Sequence, residues 1–178
     1  MKKTILFLFL ITNFESLFAQ GDYKVEKVDT LSKSKSQIYS ETKLFISEFW
    51  KSAKDVIQND DKEEGLILVK GLTKQTTSLG LGSIEFWYRY NVKFLMKDKK
   101  YKIIVEDVTF ERGPNSSWDA LGKNLEPQTE EKFPGLLKCG IKEKSWSALM
   151  LSLKADMNNI IESYAKVISK SGENNSGW

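Results

Sequence analysis

The stretch that decides the fold runs from Ile84 to Arg112 and reads IEFWYRYNVKFLMKDKKYKIIVEDVTFER. From Ile84 to Met96, apolar or aromatic residues alternate with residues that are mostly polar or charged. A period of two is typical of a β-strand that rests one face on a core. We predict that the second half, Tyr101–Arg112, returns as the next strand of an antiparallel hairpin.

The turn between these strands predicts their register. If Asp98–Lys99 is a two-residue loop, Phe94 lies opposite Ile103 on the core side. On the other side of the sheet, Trp87 then lies opposite Phe110, an aromatic pair that favours this register.

One residue does not fit that register. Asp107 falls opposite Tyr90 on the core side, where a carboxylate needs a partner. Either the phenol hydroxyl satisfies it, or a β-bulge shifts the phase of the strand at this point.

The other elements follow from periodicity and turn chemistry. A strand is predicted at Tyr23–Thr30, and Ser34–Gln37 has the form of a capping box that opens a helix over residues 35–53. A short strand at Asp55–Gln58, a turn at Asn59–Gly65 and a returning strand at Leu66–Thr73 come next, followed by a flexible connection from Thr76 to Ser83.

The last part of the chain contains an irregular stretch and a helix. Residues 113–143 show no periodicity and are expected to form an irregular insert. Ser145 is expected to cap a long amphipathic helix, whose apolar stripe consists of Trp146, Leu149, Met150, Leu153, Met157, Ile160, Ile161, Tyr164 and Ile168.

The element order therefore predicts an α+β fold of the type βαββββα. Short connections make the consecutive strands antiparallel, and each helix has one apolar stripe. We expect a two-layer sandwich with both helices on one face of the sheet.

Four short motifs in this order resemble those of a known family. They are Ser36–Tyr39 (SQIY), Phe49–Trp50, the hairpin Asp60–Ile67 (DDKEEGLI) and Lys97–Lys102 (KDKKYK). The chain is similar over residues 23–112 to an exported bacterial domain-of-unknown-function family with a TATA-binding-protein-like (TBP-like) fold. The resemblance implies the same element order, supplies no catalytic residues and does not imply DNA binding, because a fold alone does not set function.

The first residues predict export. Met1–Lys3 is positively charged, an apolar run follows, and Ala19 is a small residue at the expected cleavage point. We predict a signal peptide at 1–19, a single domain at 20–170 and a flexible tail at 171–178, in a periplasmic or secreted protein. No stretch is apolar and long enough to predict a transmembrane segment.

Composition argues against several functions. The chain has no histidine and one cysteine, Cys139, so His-based triads and the usual zinc sites are not expected. A net charge of +3 is too balanced to predict a nucleic-acid partner. The acidic run Asp60–Glu64 lacks the spacing of a calcium loop, and Gly80–Gly82 lacks the rest of a phosphate loop, so no cofactor or metal is predicted.

The face of the sheet away from the helices is the candidate binding face. Large apolar side chains on a sheet face are either covered by another part of the chain or form a binding surface. The predicted residues of this face are Trp87, Arg89, Lys93, Ile104, Glu106, Val108 and Phe110. One possibility is that the 113–143 segment covers them. The other is that they bind a partner protein, a peptide or an apolar ligand.

We therefore expect an exported, non-enzymatic binding or accessory protein of the bacterial cell envelope. One alternative is a carboxylate-based hydrolase that uses Glu106 with a second carboxylate. Another is a structural subunit of an envelope assembly, with Cys139 as a possible cross-link.

Overall fold

The computed structural model of the chain describes residues 24–78, 83–112 and 143–170. The predicted signal peptide, Gly80–Gly82, Cys139, the tail and all but the last residue of the predicted 113–143 insert lie outside these ranges. The elements, in chain order, are β1 (Val25–Thr30), α1 (Lys35–Trp50), α2 (Ala53–Val56), β2 (Ile57–Asp61), β3 (Leu66–Ser78), β4 (Ser83–Lys97), β5 (Lys100–Arg112) and α3 (Glu143–Lys170).

The strands form one antiparallel sheet in the order β1-β5-β4-β3-β2. Strand β1 lies beside β5 although the two are far apart in sequence, so β1 and β2 are the edge strands and β5, β4 and β3 lie between them. The predicted α+β fold with an antiparallel five-stranded sheet is confirmed.

Helix α1 begins as predicted and ends earlier. The Ser34 side chain accepts from the Gln37 backbone N–H and the Gln37 side chain accepts from the Ser34 backbone, which completes the capping box. The helix stops at Trp50 because Lys51 takes a left-handed conformation with φ of 60°. The short helix α2 then occupies Ala53–Val56, where the sequence predicts the start of a strand.

Strand β2 is consequently shifted along the chain. The prediction that it covers Asp55–Gln58 is wrong, because the strand runs from Ile57 to Asp61. The turn contracts to residues 62–65, where Asp61 Oδ1 accepts from the Glu64 N–H at 2.9 Å and Gly65 adopts a positive φ of 70°.

The core lies between the sheet and the two long helices. Its centre is Tyr164 of α3, whose ring packs edge-on against Phe45 of α1 (centroids 5.2 Å apart), Phe94 (4.9 Å) and Tyr101 (5.0 Å). Each such pair contributes about 0.5–1.5 kcal/mol beyond its buried area. Both helices therefore rest on the same face of the sheet, as predicted.

The apolar stripe of α3 is confirmed from Leu149 to Ile168, all of whose predicted members are buried. The helix begins at Glu143, so Ser145 lies in its first turn and does not precede it as a cap. The Trp146 side chain is outside the part of the structure that can be described.

The β4–β5 register agrees with the prediction near the turn. Phe94 pairs with Ile103 and both are fully buried. The ladder then slips between Arg89 and Asn91, where Asp107 has a left-handed φ of 57°. The misfit of Asp107 in the sequence therefore marks a β-bulge.

Beyond the bulge the predicted pairing is wrong by one residue. Trp87 pairs with Glu111, and Phe110 pairs with Tyr88. The extra residue in β5 takes up one position of the ladder, so every later residue meets a different partner.

Candidate functional site

The open face is the side of the sheet opposite α1 and α3. Its side chains alternate along each strand with those of the core. The residues that form it include Glu26, Val28, Leu66, Leu68, Lys70, Leu72, Lys74, Thr76, Glu85, Trp87, Arg89, Asn91, Lys93, Leu95, Lys102, Ile104, Glu106 and Thr109.

Five of the seven predicted site residues lie on the open face: Trp87, Arg89, Lys93, Ile104 and Glu106. Val108 does not, because the bulge at Asp107 turns it into the core, where it is 2% exposed. Phe110 is not the partner of Trp87, and its side chain lies outside the described residues.

The middle of the open face is a set of ion pairs. Lys93 on β4 pairs with Glu106 on β5. Glu26 on β1 accepts from both Lys24 and Lys102, each at 2.9 Å. The hydrogen bonds from Lys24 and then Lys102 lower the pKa of the Glu26 carboxyl, since they stabilise its charged form.

Ile104 lies inside this charged region. It pairs with Glu26 on one side and with Lys93 on the other, and only 8% of it is exposed. The centre of the face is therefore closed, and the charges around it already have partners.

The end of the face that carries Trp87 is different. The Trp87 indole N–H donates to Glu85, and the Lys74 ammonium lies 4.5 Å from the centroid of the Trp87 ring. Such a cation–π contact holds both side chains against the sheet. Next along the strands, Leu72 pairs with Arg89 and remains 40% exposed.

The opposite end of the face, near the β4–β5 turn, is also partly apolar. Leu95 is 38% exposed and pairs with Leu66, while Val28 is 47% exposed at the β1 edge. Lys102 lies between Leu95 and Val28. Exposed apolar groups therefore occur at both ends of the face, on either side of the ion pairs.

The predicted site residues do not include the β3 part of this surface, namely Lys70, Leu72 and Lys74. The predicted strand ends at Thr73 and the predicted connection begins at Thr76, whereas the strand continues to Ser78. The sequence does contain a pattern for this surface, because every second residue, Leu68, Lys70, Leu72 and Lys74, is alternately apolar and cationic. The polar residues beyond Thr73 make the end of this pattern difficult to recognise.

The acidic run is part of the surface hairpin. Asp60 accepts from the Tyr39 hydroxyl and from Lys43, the latter at 2.6 Å. Among the described residues, no group of three or more His, Cys, Asp or Glu side chains is arranged to hold a metal ion. None of the helices in the described ranges is long and apolar enough to cross a membrane.

The element order, the antiparallel sheet and its helical layer define an α+β domain with a TBP-like fold. Residues 25–111 match the family described as "Domain of unknown function (DUF4468) with TBP-like fold". The resemblance to a bacterial domain-of-unknown-function family with this fold, predicted from the sequence, is confirmed.

Two solved structures are similar to the chain. A DUF4468 family protein from Bacteroides ovatus has 16% identity and a TM-score of 0.56, over 82% of this chain and 87% of that one. A TBP-like protein from Parabacteroides distasonis has 16% identity and a TM-score of 0.45, over 81% and 95% of the two chains. The first similarity supports the fold alone. No curated protein has a significant match to the chain.

Proposed function

We propose that the protein is an exported, non-enzymatic binding protein of the bacterial envelope whose open face contacts a partner protein. The observation that carries this proposal is the exposure of apolar side chains on that face. Val28, Leu72 and Leu95 are each more than a third exposed there. Exposed apolar groups gathered on one surface are typical of protein interaction sites.

The charged groups of the face suit binding better than hydrolysis. Glu106, the carboxylate expected in a hydrolase, is paired with Lys93 across the strands. Fixed ion pairs beside apolar groups favour specific docking, because a mismatched partner must bring like charges together.

Export rests on the N-terminal pattern of charge and hydrophobicity. Its test is the mass of the protein recovered from the envelope fraction of the native host. We expect a mature chain that starts near Gln20, and recovery of an intact chain in the cytosol would contradict export.

The binding proposal is tested by capture of partners from envelope extract on immobilised protein. The Trp87→Ala/Leu95→Ala variant removes apolar groups from both ends of the open face. The matched control is Leu44→Ala/Leu151→Ala, because these leucines are 62% and 69% exposed on the helices. We expect loss of capture only for the first variant, with unchanged far-UV dichroism for both, and equal capture by both variants would contradict the proposal.

A further inference from the structure

We propose that the outer edge of β3, from Lys70 to Ser78, binds an extended acidic segment of a partner protein as an additional strand. The inference rests on the proposed function, since it assigns a binding mode and a partner chemistry to one end of the open face. It follows from a difference in strand length, from hydrogen-bond direction and from charge.

The first observation is the length of β3. It has 13 residues, whereas its neighbour β2 has 5. Strand β2 pairs only with Leu66–Val69. From Lys70 onward, no strand in the described ranges pairs with the outer edge of β3.

The second observation is the direction of the backbone groups on this edge. The Gly65 carbonyl accepts from the Met96 N–H at 2.7 Å, so residue 65 is turned toward β4. The β3–β4 register is continuous from 66 to 78, and alternate residues of a strand point their backbone groups to opposite sides. Lys70, Leu72 and Lys74 therefore direct their N–H and C=O groups away from β4. The Lys70 N–H faces Val56, which precedes the Ile57–Val69 pair, so the outward backbone groups that lie beyond β2 are those of Leu72 and Lys74.

The same three residues place their side chains on the open face, where all are exposed. A strand added at this edge would lie beside a cation, an apolar group and a second cation, at the alternate positions Lys70, Leu72 and Lys74. Arg89 lies opposite Leu72 on the neighbouring strand β4. The complementary strand has acidic residues opposite Lys70 and Lys74 and an apolar residue opposite Leu72.

A second copy of the chain fits this edge poorly. Antiparallel self-pairing centred on Leu72 brings Lys70 of one copy opposite Lys74 of the other, and like charges directly opposite are destabilising. The β5 edge is also less suitable, because Asp107 interrupts it with a left-handed residue. The geometry therefore favours β3 and an acidic partner.

The test uses a labelled, end-capped peptide that has glutamate, valine and glutamate at successive alternate positions and threonine at the positions between them. A matched peptide has lysine in place of each glutamate. Fluorescence anisotropy measures the Kd of each for the full chain. We expect the acidic peptide to bind at least about tenfold more tightly than the lysine peptide. Lys70→Glu/Lys74→Glu should reverse that preference, while Lys166→Glu/Lys170→Glu, the same charge change at exposed positions of α3, should preserve it.

The backbone contribution is tested with Leu72→Pro against Leu72→Ala. Proline removes the outward N–H without removing a β3–β4 hydrogen bond, and alanine keeps it. We expect Leu72→Pro to bind the acidic peptide about fivefold more weakly than Leu72→Ala. Equal Kd values for the two variants, no binding of the acidic peptide, or equal binding of both peptides would overturn the proposal.

Two further outcomes assign the edge differently. Concentration-dependent dimerisation that Leu72→Pro abolishes would show that the β3 edge binds a second copy of the chain. It would overturn the proposal that the edge binds an acidic partner. If Leu72→Pro retains the envelope partner that Trp87→Ala/Leu95→Ala loses, strand addition fails while the proposed binding face stands. If both variants retain it, both proposals fail.

Discussion

Asn91 on β4 donates a hydrogen bond of 2.7 Å to Asp107 on β5, at the position where the ladder between these strands is irregular. Asp107 has a left-handed φ of 57°, which aspartate tolerates better than most residues. The bulge turns Val108 toward the core and shifts the partners of Trp87 and Tyr88 by one residue. This hydrogen bond is therefore part of the β-bulge that determines which residues of β5 lie on the open face.

The bulge predicts opposite effects of two substitutions at Asp107. Valine cannot adopt a left-handed φ without strain, so Asp107→Val should reduce the free energy of unfolding by about 1–2 kcal/mol. Glycine adopts it freely, so Asp107→Gly should change stability by less than about 1 kcal/mol, with the lost Asn91 hydrogen bond set against relief of strain. Urea denaturation measures both, and a valine variant as stable as the wild type would show that no bulge is needed here.

The close approach of Gly71 and Tyr90 predicts a second pair of effects. These residues are cross-strand partners, and a Cβ on residue 71 would come within 2.2 Å of the Tyr90 ring. Gly71→Ala should therefore destabilise the protein by about 1–3 kcal/mol, because the ring must move out of a packed position. Adding Tyr90→Leu to Gly71→Ala should recover part of this loss, and a double variant with simply additive losses would contradict the contact.

The Lys33–Glu41 ion pair predicts a large loss from a single neutralisation. Lys33 is 9% exposed and donates to Glu41 at 2.7 Å and to the Ile168 carbonyl near the end of α3. Lys33→Met should cost at least about 2 kcal/mol, because it leaves Glu41 uncompensated in a mostly buried position. The control is Lys27→Met, which breaks the exposed pair with Glu162 at 3.0 Å and should cost less than about 1 kcal/mol. Equal losses in thermal or urea unfolding would show that burial does not distinguish the two pairs.

Tyr101 predicts a loss of stability at alkaline pH. Burial raises the pKa of its phenol to about 12 from the ordinary value of 10.0, and among the described residues nothing hydrogen-bonds its hydroxyl. The unfolded chain releases this proton first, so the contribution of Tyr101 is complete below pH 10 and is lost as the pH rises from about 10 toward 12. Tyr101→Phe should make the fall of the urea midpoint over this range shallower, and an unchanged slope would contradict the assignment.

The sequence was sufficient for the elements in which one periodicity dominates. Alternation from Ile84 to Met96 fixed β4 and its buried face, and the stripe from Leu149 to Ile168 fixed α3. These patterns are informative because burial of alternate or helically spaced residues is what stabilises such elements.

The errors occurred where backbone conformation overrides the pattern. The left-handed Lys51 ends α1 and leaves room for α2, which moves the start of β2 to Ile57. At Asp107 the misfit was visible, yet the residues alone did not distinguish a bulge from a satisfied carboxylate. The correct alternative then removed Val108 from the predicted site.

The last part of β3, from Lys74 to Ser78, was missed for another reason. The residues beyond Thr73 are polar, so they resemble a loop, and their strand conformation depends on pairing with β4. Long-range pairing of this kind cannot be read from local composition.

The unequal lengths of β2 and β3 also have a consequence for solvent exchange of the backbone. Along the overhanging half of β3, the amide hydrogens of Leu72 and Lys74 point outward beyond β2, whereas those of the residues between and beside them bond to β4. We therefore expect a single continuous strand to show alternating fast and slow deuterium uptake, residue by residue. Uptake at every second position would slow down when that edge is occupied.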